Sequence, residues 1–355
     1  MSLWSDTPAT RLFGIDLPIV LGPFGGLSSV GLTATLSNAG GLGSFGLYGY
    51  DAARIRSTAA ELHAATDKPF ALNIWLPLDG DHDVAPTQQE FESYLENLRP
   101  YFEQLGVALP ERPERYLPPF DEQVDAVLEA RPAVLSTVFG VPSREVLDAC
   151  RERGILVVGT ATTVDEATTL DAAGVDAIVA TGMEAGGHRV SFLRPAEDSL
   201  IGTMALVPQV VDAVSVPVIA AGGIADGRGI AAALALGAGA VQLGSVFLAT
   251  DDSAASPAHR SALRERGGDT VLTRARSGRL ARGIPNRITR ELSPERIAPF
   301  PVQNWLTGRF RPTAGERGVA DLLGLWAGQA SPLIRHTDAR ELMAELVRDA
   351  AGRSA

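Results

Sequence analysis

The strongest constraint on this chain is a rhythm that recurs along most of its length. A short apolar run rich in β-branched residues is followed by a glycine-bearing loop and then by an alanine-rich stretch with helical spacing. Eight runs fit the strand part: residues 17–21 (LPIVL), 43–45, 70–75 (FALNIW), 133–139 (AVLSTVF), 155–159 (ILVVG), 176–180 (DAIVA), 217–220 (PVIA) and 240–243 (AVQL). Most are continuously apolar, the pattern of parallel strands covered on both faces. Helical patterns separate them, as at 143–153, 164–173, 202–213 and 227–236. Ser143 reads as a helix N-cap, and Thr163 with Glu166 as a capping box. Eight strands alternating with helices predict a (β/α)₈ TIM barrel in preference to an open doubly wound sheet.

Two stretches depart from the rhythm. Residues 79–131 hold two polar helical patterns, near 88–105 and 119–130, and read as a helical insertion after strand 3 of the barrel. Beyond Thr250 no strand is expected. Helices at 260–265, 319–326 and 338–350 predict a C-terminal helical cap. The organisation expected is a barrel over 1–255 and a helical segment over 256–355 that packs on it.

Composition excludes several classes of function. The single cysteine, Cys150, rules out a disulfide framework and a cysteine-based metal centre, and it lies late in a helix as a buried, inert thiol. No two histidines have metal-ligand spacing; the acidic run 79–83 (DGDHD), with His82, reads as a solvated turn. The 31 basic and 42 acidic residues give a net charge of −11, opposite to a nucleic-acid footprint. No run reaches the ~20 apolar residues that a membrane span requires. The first residues lack the basic, apolar pattern of a leader, so a cytoplasmic protein is expected. Oligomeric state leaves no mark in the sequence. The only lysine, Lys68, precedes the third strand, at the end away from a barrel's catalytic face, which sets Schiff-base chemistry aside.

A barrel's active site forms where the strands end. Gly222 and Gly223 follow the seventh strand, and Gly244 and Ser245 follow the eighth. Those are the loops where barrels commonly bind phosphate, through backbone N–H groups at a helix N-terminus, although glycine pairs also make plain tight turns. The loop at 182–188 (GMEAGGH) is the sharpest feature. Gly186 and Gly187 permit close approach of the backbone, and His188 is suited to acid, base or hydrogen-bonding work near neutral pH. Glu184 in the same loop reads more simply as a hydrogen-bonding or capping group. His63 follows an amphipathic helix, His259 and His336 fall outside the barrel core, and Trp305 reads as core packing.

Taken in order, ATGMEAGGHR (180–189), VIAAGGIADGRGI (218–230), GAVQLGSVFL (239–248), TRARSGRLARGIPNR (273–287) and LWAGQ (325–329) resemble the nitronate monooxygenase family, formerly the 2-nitropropane dioxygenases. The resemblance runs from about Leu17 to Gln329. It implies an FMN-binding barrel that oxidises alkyl nitronates with O₂ to a carbonyl compound and nitrite, with no nucleic-acid or membrane partner. It also implies that Asn73, Thr181, Gly186, Gly187, Gly222, Gly223, Gln242, Leu243, Gly244 and Ser245 hold FMN, that His188 is catalytic, and that no metal takes part. Similar barrels carry the same histidine loop in NAD(P)H-dependent flavin reductases of quinones or enoyl thioesters, which is the alternative activity. Three positions depart from the family pattern: Thr181 stands where glutamine is frequent, Val190 where glycine is usual, and Phe24 where methionine is common.

Overall fold

The computed structural model describes residues 3–78 and 84–353; the acidic run at 79–83 lies outside them. Eight parallel strands form one sheet: β1 (Ile19–Leu21), β2 (Gly43–Gly46), β3 (Phe70–Trp75), β4 (Val134–Val138), β5 (Leu156–Ala161), β6 (Ala177–Thr181), β8 (Val218–Ala221) and β9 (Ala240–Leu243). Their order, β1-β9-β8-β6-β5-β4-β3-β2, is closed by a parallel bridge between Val20 and Leu42, so the sheet curls into the expected barrel.

Strand alternation divides each run between two environments. Val20, Ala71, Val134, Val158, Val179 and Ile219 fill the barrel interior, with Phe13 of the helix Pro8–Phe13 packed against them. Their neighbours Ile19, Leu21, Leu72, Leu135, Val157, Ile178 and Leu243 face the surrounding helices. Nearer the strand ends the inward positions turn polar: Asn73, Ser136, Thr160, Thr181 and Gln242. The barrel is therefore sealed by hydrocarbon below and opens onto hydrogen-bonding groups above.

Helix caps set the loops at this mouth. Thr163 accepts from the Glu166 N–H as expected, but Glu166 does not close the capping box. Its buried carboxylate instead accepts from the N–H and hydroxyl of Thr162 and from the N–H groups of Phe192 and Leu193. Those four bonds anchor the segment that follows His188 to the end of β5.

The insertion after β3 resolves into two unlike helices. Gln88–Leu105 joins a second apolar cluster with the helices Pro257–Arg266, Arg287–Glu291 and Val302–Glu316. Phe120–Ala130 packs against Ala52–Ala65 and takes the ordinary place of a barrel helix between β3 and β4. The C-terminal helix Ala339–Ala351 likewise packs against Val30–Asn38 and Gly227–Ala235, as part of the barrel's outer layer.

Strands do continue beyond Thr250, contrary to the sequence expectation. β7 (Gly187–His188), β10 (Val271–Thr273) and β11 (Ala281–Gly283) form a small antiparallel sheet in the order β10-β11-β7. These runs are too short and too rich in Gly and Arg to carry a period-2 signal. The helix expected at 319–326 is only a 3₁₀ turn at Ala320–Leu322, after which Trp326 bridges to Gly283. Among the described residues no helix is long and apolar enough to cross a membrane.

Candidate active site

One large cavity of about 810 Å³ lies over the C-terminal ends of the barrel strands. Its wall includes Asn73, Thr181, Gly186, Gly187, His188, Gly222, Gly223, Gln242, Gly244 and Ser245. The sequence-predicted residues are thus brought together from four separate barrel strands, with one exception. Leu243 is fully buried in the core outside the barrel wall, its backbone paired with β1 and its carbonyl accepting from the Gly22 N–H. The reason is alternation: Gln242 points inward, so its neighbour must point out. Ser136 and Thr160 were missed by the same criterion; they occupy inward positions of their strands and line the cavity.

The β8–β9 side of the wall carries no formal charge of its own. The short helix Ser245–Leu248 starts at Gly244 with no side chain capping its first turn. The Ser245 hydroxyl accepts from the Gly328 N–H at 2.8 Å, which leaves its proton to donate. Two glycines here are required by packing. Gly222 has φ +99, and a Cβ on it would lie 3.1 Å from Ala185 N, Gly182 O and Thr203 Oγ1. A Cβ on Gly186 would lie 2.6 Å from the Ala327 carbonyl carbon and the Gly328 nitrogen. The missing side chains let the β6, β8 and 325–329 loops stack backbone on backbone. Glu184 serves that stack in the capping role expected of it: its carboxylate accepts from Thr203 N at 3.0 Å and from Thr203 Oγ1 at 2.9 Å, at the start of the helix Thr203–Ala213.

The opposite side is made of large side chains. His188 sits on β7, with Nε2 2.8 Å from the Ser277 hydroxyl of the β10–β11 connection. Its ring packs edge-on to Trp75 at 4.8 Å and against Trp326 at 5.1 Å. Burial, reinforced by the guanidiniums of Arg279 and Arg311, pushes its pKa down to about 3. His188 is therefore a neutral imidazole near pH 7. With Nε2 tied to Ser277, Nδ1 is the nitrogen without a protein partner among the described residues.

Arg189, next in sequence, is buried and donates to the Thr181 and Gly182 carbonyls at 3.0 and 2.7 Å, fastening the loop to the end of β6. Arg276 is also buried, held near the Trp326 ring at 5.2 Å, with its pKa lowered to about 9 by burial and by Arg311. The helix Val302–Glu316 contributes Asn304 and Arg311 to the wall.

Among the remaining histidines, His259 corrects the sequence expectation. It lines the cavity, with Nε2 2.9 Å from the Trp326 carbonyl, and burial lowers its pKa to about 4. A helix at 257–266 gives no sequence hint that its first turn borders the barrel mouth. His63 is bound to the Ala130 carbonyl and His336 to Glu345, both away from the cavity. Trp305 packs on Phe91 and Tyr116 in the second cluster. Cys150 is fully buried, and burial raises its thiol to about 11. Of the three departures from the family pattern, all border the cavity: Thr181 at the end of β6, Val190 packed on Val138 and Phe139, and Phe24 close to Gly22 and Gly244. Among the described residues, no group of three or more His, Cys, Asp or Glu side chains is placed to hold a metal ion.

Comparison with known proteins bears on family and fold. The sequence model described as nitronate monooxygenase matches residues 6–349. A nitronate monooxygenase of Pseudomonas aeruginosa is 41% identical over 350 residues, covering 97% of this chain and 99% of that protein. The crystal structure of a nitroalkane oxidase from Streptomyces ansochromogenes superposes with a TM-score of 0.89 at 37% identity, covering 98% of this chain and 99% of the other. FabK from Thermotoga maritima is more distant, with a TM-score of 0.75 at 29% identity over 98% of this chain and 96% of that one.

Proposed function

The chain belongs to the nitronate monooxygenase family, and from that premise we propose that it binds FMN and oxidises alkyl nitronates with O₂, releasing a carbonyl compound and nitrite. The observation that carries the reading is His188: a neutral imidazole fixed on the wall of a cavity whose other side is uncharged backbone and amide.

Several features support FMN as the occupant. A cavity of about 810 Å³ falls within the range of cofactor sites. Asn73, Thr181, Gln242 and Ser245 offer uncharged donors and acceptors suited to a heteroaromatic ring and a polyol chain. The uncapped first turn at Gly244–Ser245, beside Gly222–Gly223, suits the phosphate. Gly186 and Gly187 complete the set of residues that would hold the cofactor. When bound, FMN supplies the redox chemistry, taking electrons from the substrate and delivering them to O₂.

The chain's own residues decide which substrate reaches that chemistry. A nitronate is already a carbanion, so no proton need be removed from carbon. A neutral nitroalkane requires a base, and His188 is a weak one with its pKa near 3. Ser277 holds Nε2, so any proton exchanged with substrate passes through Nδ1. Trp75 and Trp326 fix the ring plane and keep bulk water from it. The arrangement favours the preformed anion over the neutral acid.

The test is direct. Purified protein should be yellow with a flavin spectrum and should release nitrite from a nitronate under air. Colourless protein that fails to take up added FMN would overturn the reading.

A further inference from the structure

We propose that Arg311 is the anion-binding residue of the cavity, and that through it the site takes small monoanions, nitronates and carboxylates alike, in preference to their neutral counterparts. This inference rests on the same cavity as the proposed function and specifies what it recognises there.

A nitronate brings a full negative charge onto a wall of rings and backbone, and a charge moved out of bulk water without a partner is costly. His188 cannot neutralise it, being itself uncharged near pH 7. Glu184 is engaged by Thr203 and has the wrong sign. Arg311 has the right sign and, among the described residues, no counter-ion. It is half-buried, and no described carboxylate forms an ion pair with it, whereas Arg56 pairs with Glu129 and Arg144 with Asp148. Glu316, on the same helix and also bordering the cavity, makes no bond to it.

Geometry places that charge on the His188 side. Arg311 Nη2 donates to the carbonyl and to Oδ1 of Asn304, at 3.0 and 2.9 Å. Asn304 Nδ2 in turn donates to the Tyr48 hydroxyl at 2.6 Å. The Tyr48 ring lies 4.2 Å from Trp75, which packs on His188. An unbroken wall thus runs from the imidazole to the guanidinium. Asn304 occupies Nη2, the nitrogen shared by both bidentate faces; Nε and Nη1, which point apart, have no protein partner among the described residues, and each can give an anion one charge-assisted hydrogen bond. Because the fork is preset by Asn304, little side-chain entropy is lost on binding.

Propionate is the probe, since its carboxylate has the planar two-oxygen shape of a nitronate and is not oxidised. Calorimetric titration of propionate into FMN-loaded wild-type protein should give saturable binding. Arg311→Gln should weaken it roughly ten- to hundredfold, the usual cost of losing hydrogen bonds to a charged group, while Arg311→Lys should retain most of it. Both variants should keep their FMN. Equal affinity in wild type and Arg311→Gln, equal loss in Arg311→Gln and Arg311→Lys, or no propionate binding by the wild type would each overturn the proposal. A nitrite assay run alongside separates the two claims. Arg311-dependent propionate binding without nitrite release leaves the anion site standing and removes the nitronate reading; nitrite release with binding indifferent to Arg311 does the reverse.

Discussion

The two sides of the cavity are built in opposite ways. The β8–β9 side is backbone: Gly222, Gly223, Gly244 and Ser245 at consecutive strand ends, contributed by residues about twenty apart in sequence. The His188 side is assembled from β3, β6, β7, the β10–β11 connection and the helix Val302–Glu316, and it works through rings and guanidiniums. Substitutions on the first side should act through whether a cofactor is held at all. Substitutions on the second should act through which substrate is used and how fast.

The largest effect is expected where the two sides touch. Gly186→Ala puts a carbon 2.6 Å from the Ala327–Gly328 peptide, with backbone on both sides and nothing able to yield. Flavin absorbance remaining after gel filtration should fall to a small fraction of wild type. Full retention would show that the loop stack is looser than described.

On the side-chain face, His188→Asn should leave FMN bound. Turnover of a neutral nitroalkane should drop on the order of a hundredfold, in the range of lost general-base catalysis, while nitronate turnover falls far less. Equal losses on the two substrates would remove the distinction between base and bystander. Ser277→Ala should have a smaller effect of the same kind, with the nitroalkane rate falling several-fold as the imidazole loses its fixed partner. Ser277→Thr should restore it. A cofactor-retention defect in Ser277→Ala would instead move Ser277 to the other side of the comparison.

How much was legible beforehand follows the same division. The glycine side is local in sequence, each element a strand end followed by its own loop, so periodicity and glycine spacing expose it. Even there the Leu243 side chain lies off the cavity wall, because a strand run of AVQL does not say which face each residue takes. On the other side Asn73 and Thr181 were marked by the family resemblance, and the 182–188 loop announced itself with His188. Its partners Ser277, Trp326 and Arg311 lie about 90 to 140 positions away, and nothing in their local pattern speaks of the barrel mouth. The small β7–β11–β10 sheet that delivers Ser277 was missed because strands of two or three residues have no measurable period. His259 was set aside for a related reason: its helix is amphipathic, and the sequence does not say against what.

The smallest effect expected is on stability. His188 and His259 have folded-state pKa values of about 3 and about 4, below the ~6.5 of an exposed histidine. The unfolded chain therefore binds protons that the folded one refuses. Stability contributed by these groups is complete above about pH 6.5 and declines as pH falls toward 4. Thermal denaturation midpoints should drop across that window, and less steeply in His259→Gln. An identical slope in the variant would mean His259 titrates normally.

The account's central claim, that this cavity passes electrons from a nitronate to a flavin, is tested most directly by anaerobic mixing in a stopped-flow spectrophotometer. FMN-loaded protein mixed with propionate 3-nitronate should lose its yellow absorbance rapidly, and mixing with NADH or NADPH should leave it unchanged on the same timescale. Fast bleaching by a nicotinamide cofactor with no response to the nitronate would contradict the account and make the chain a flavin reductase.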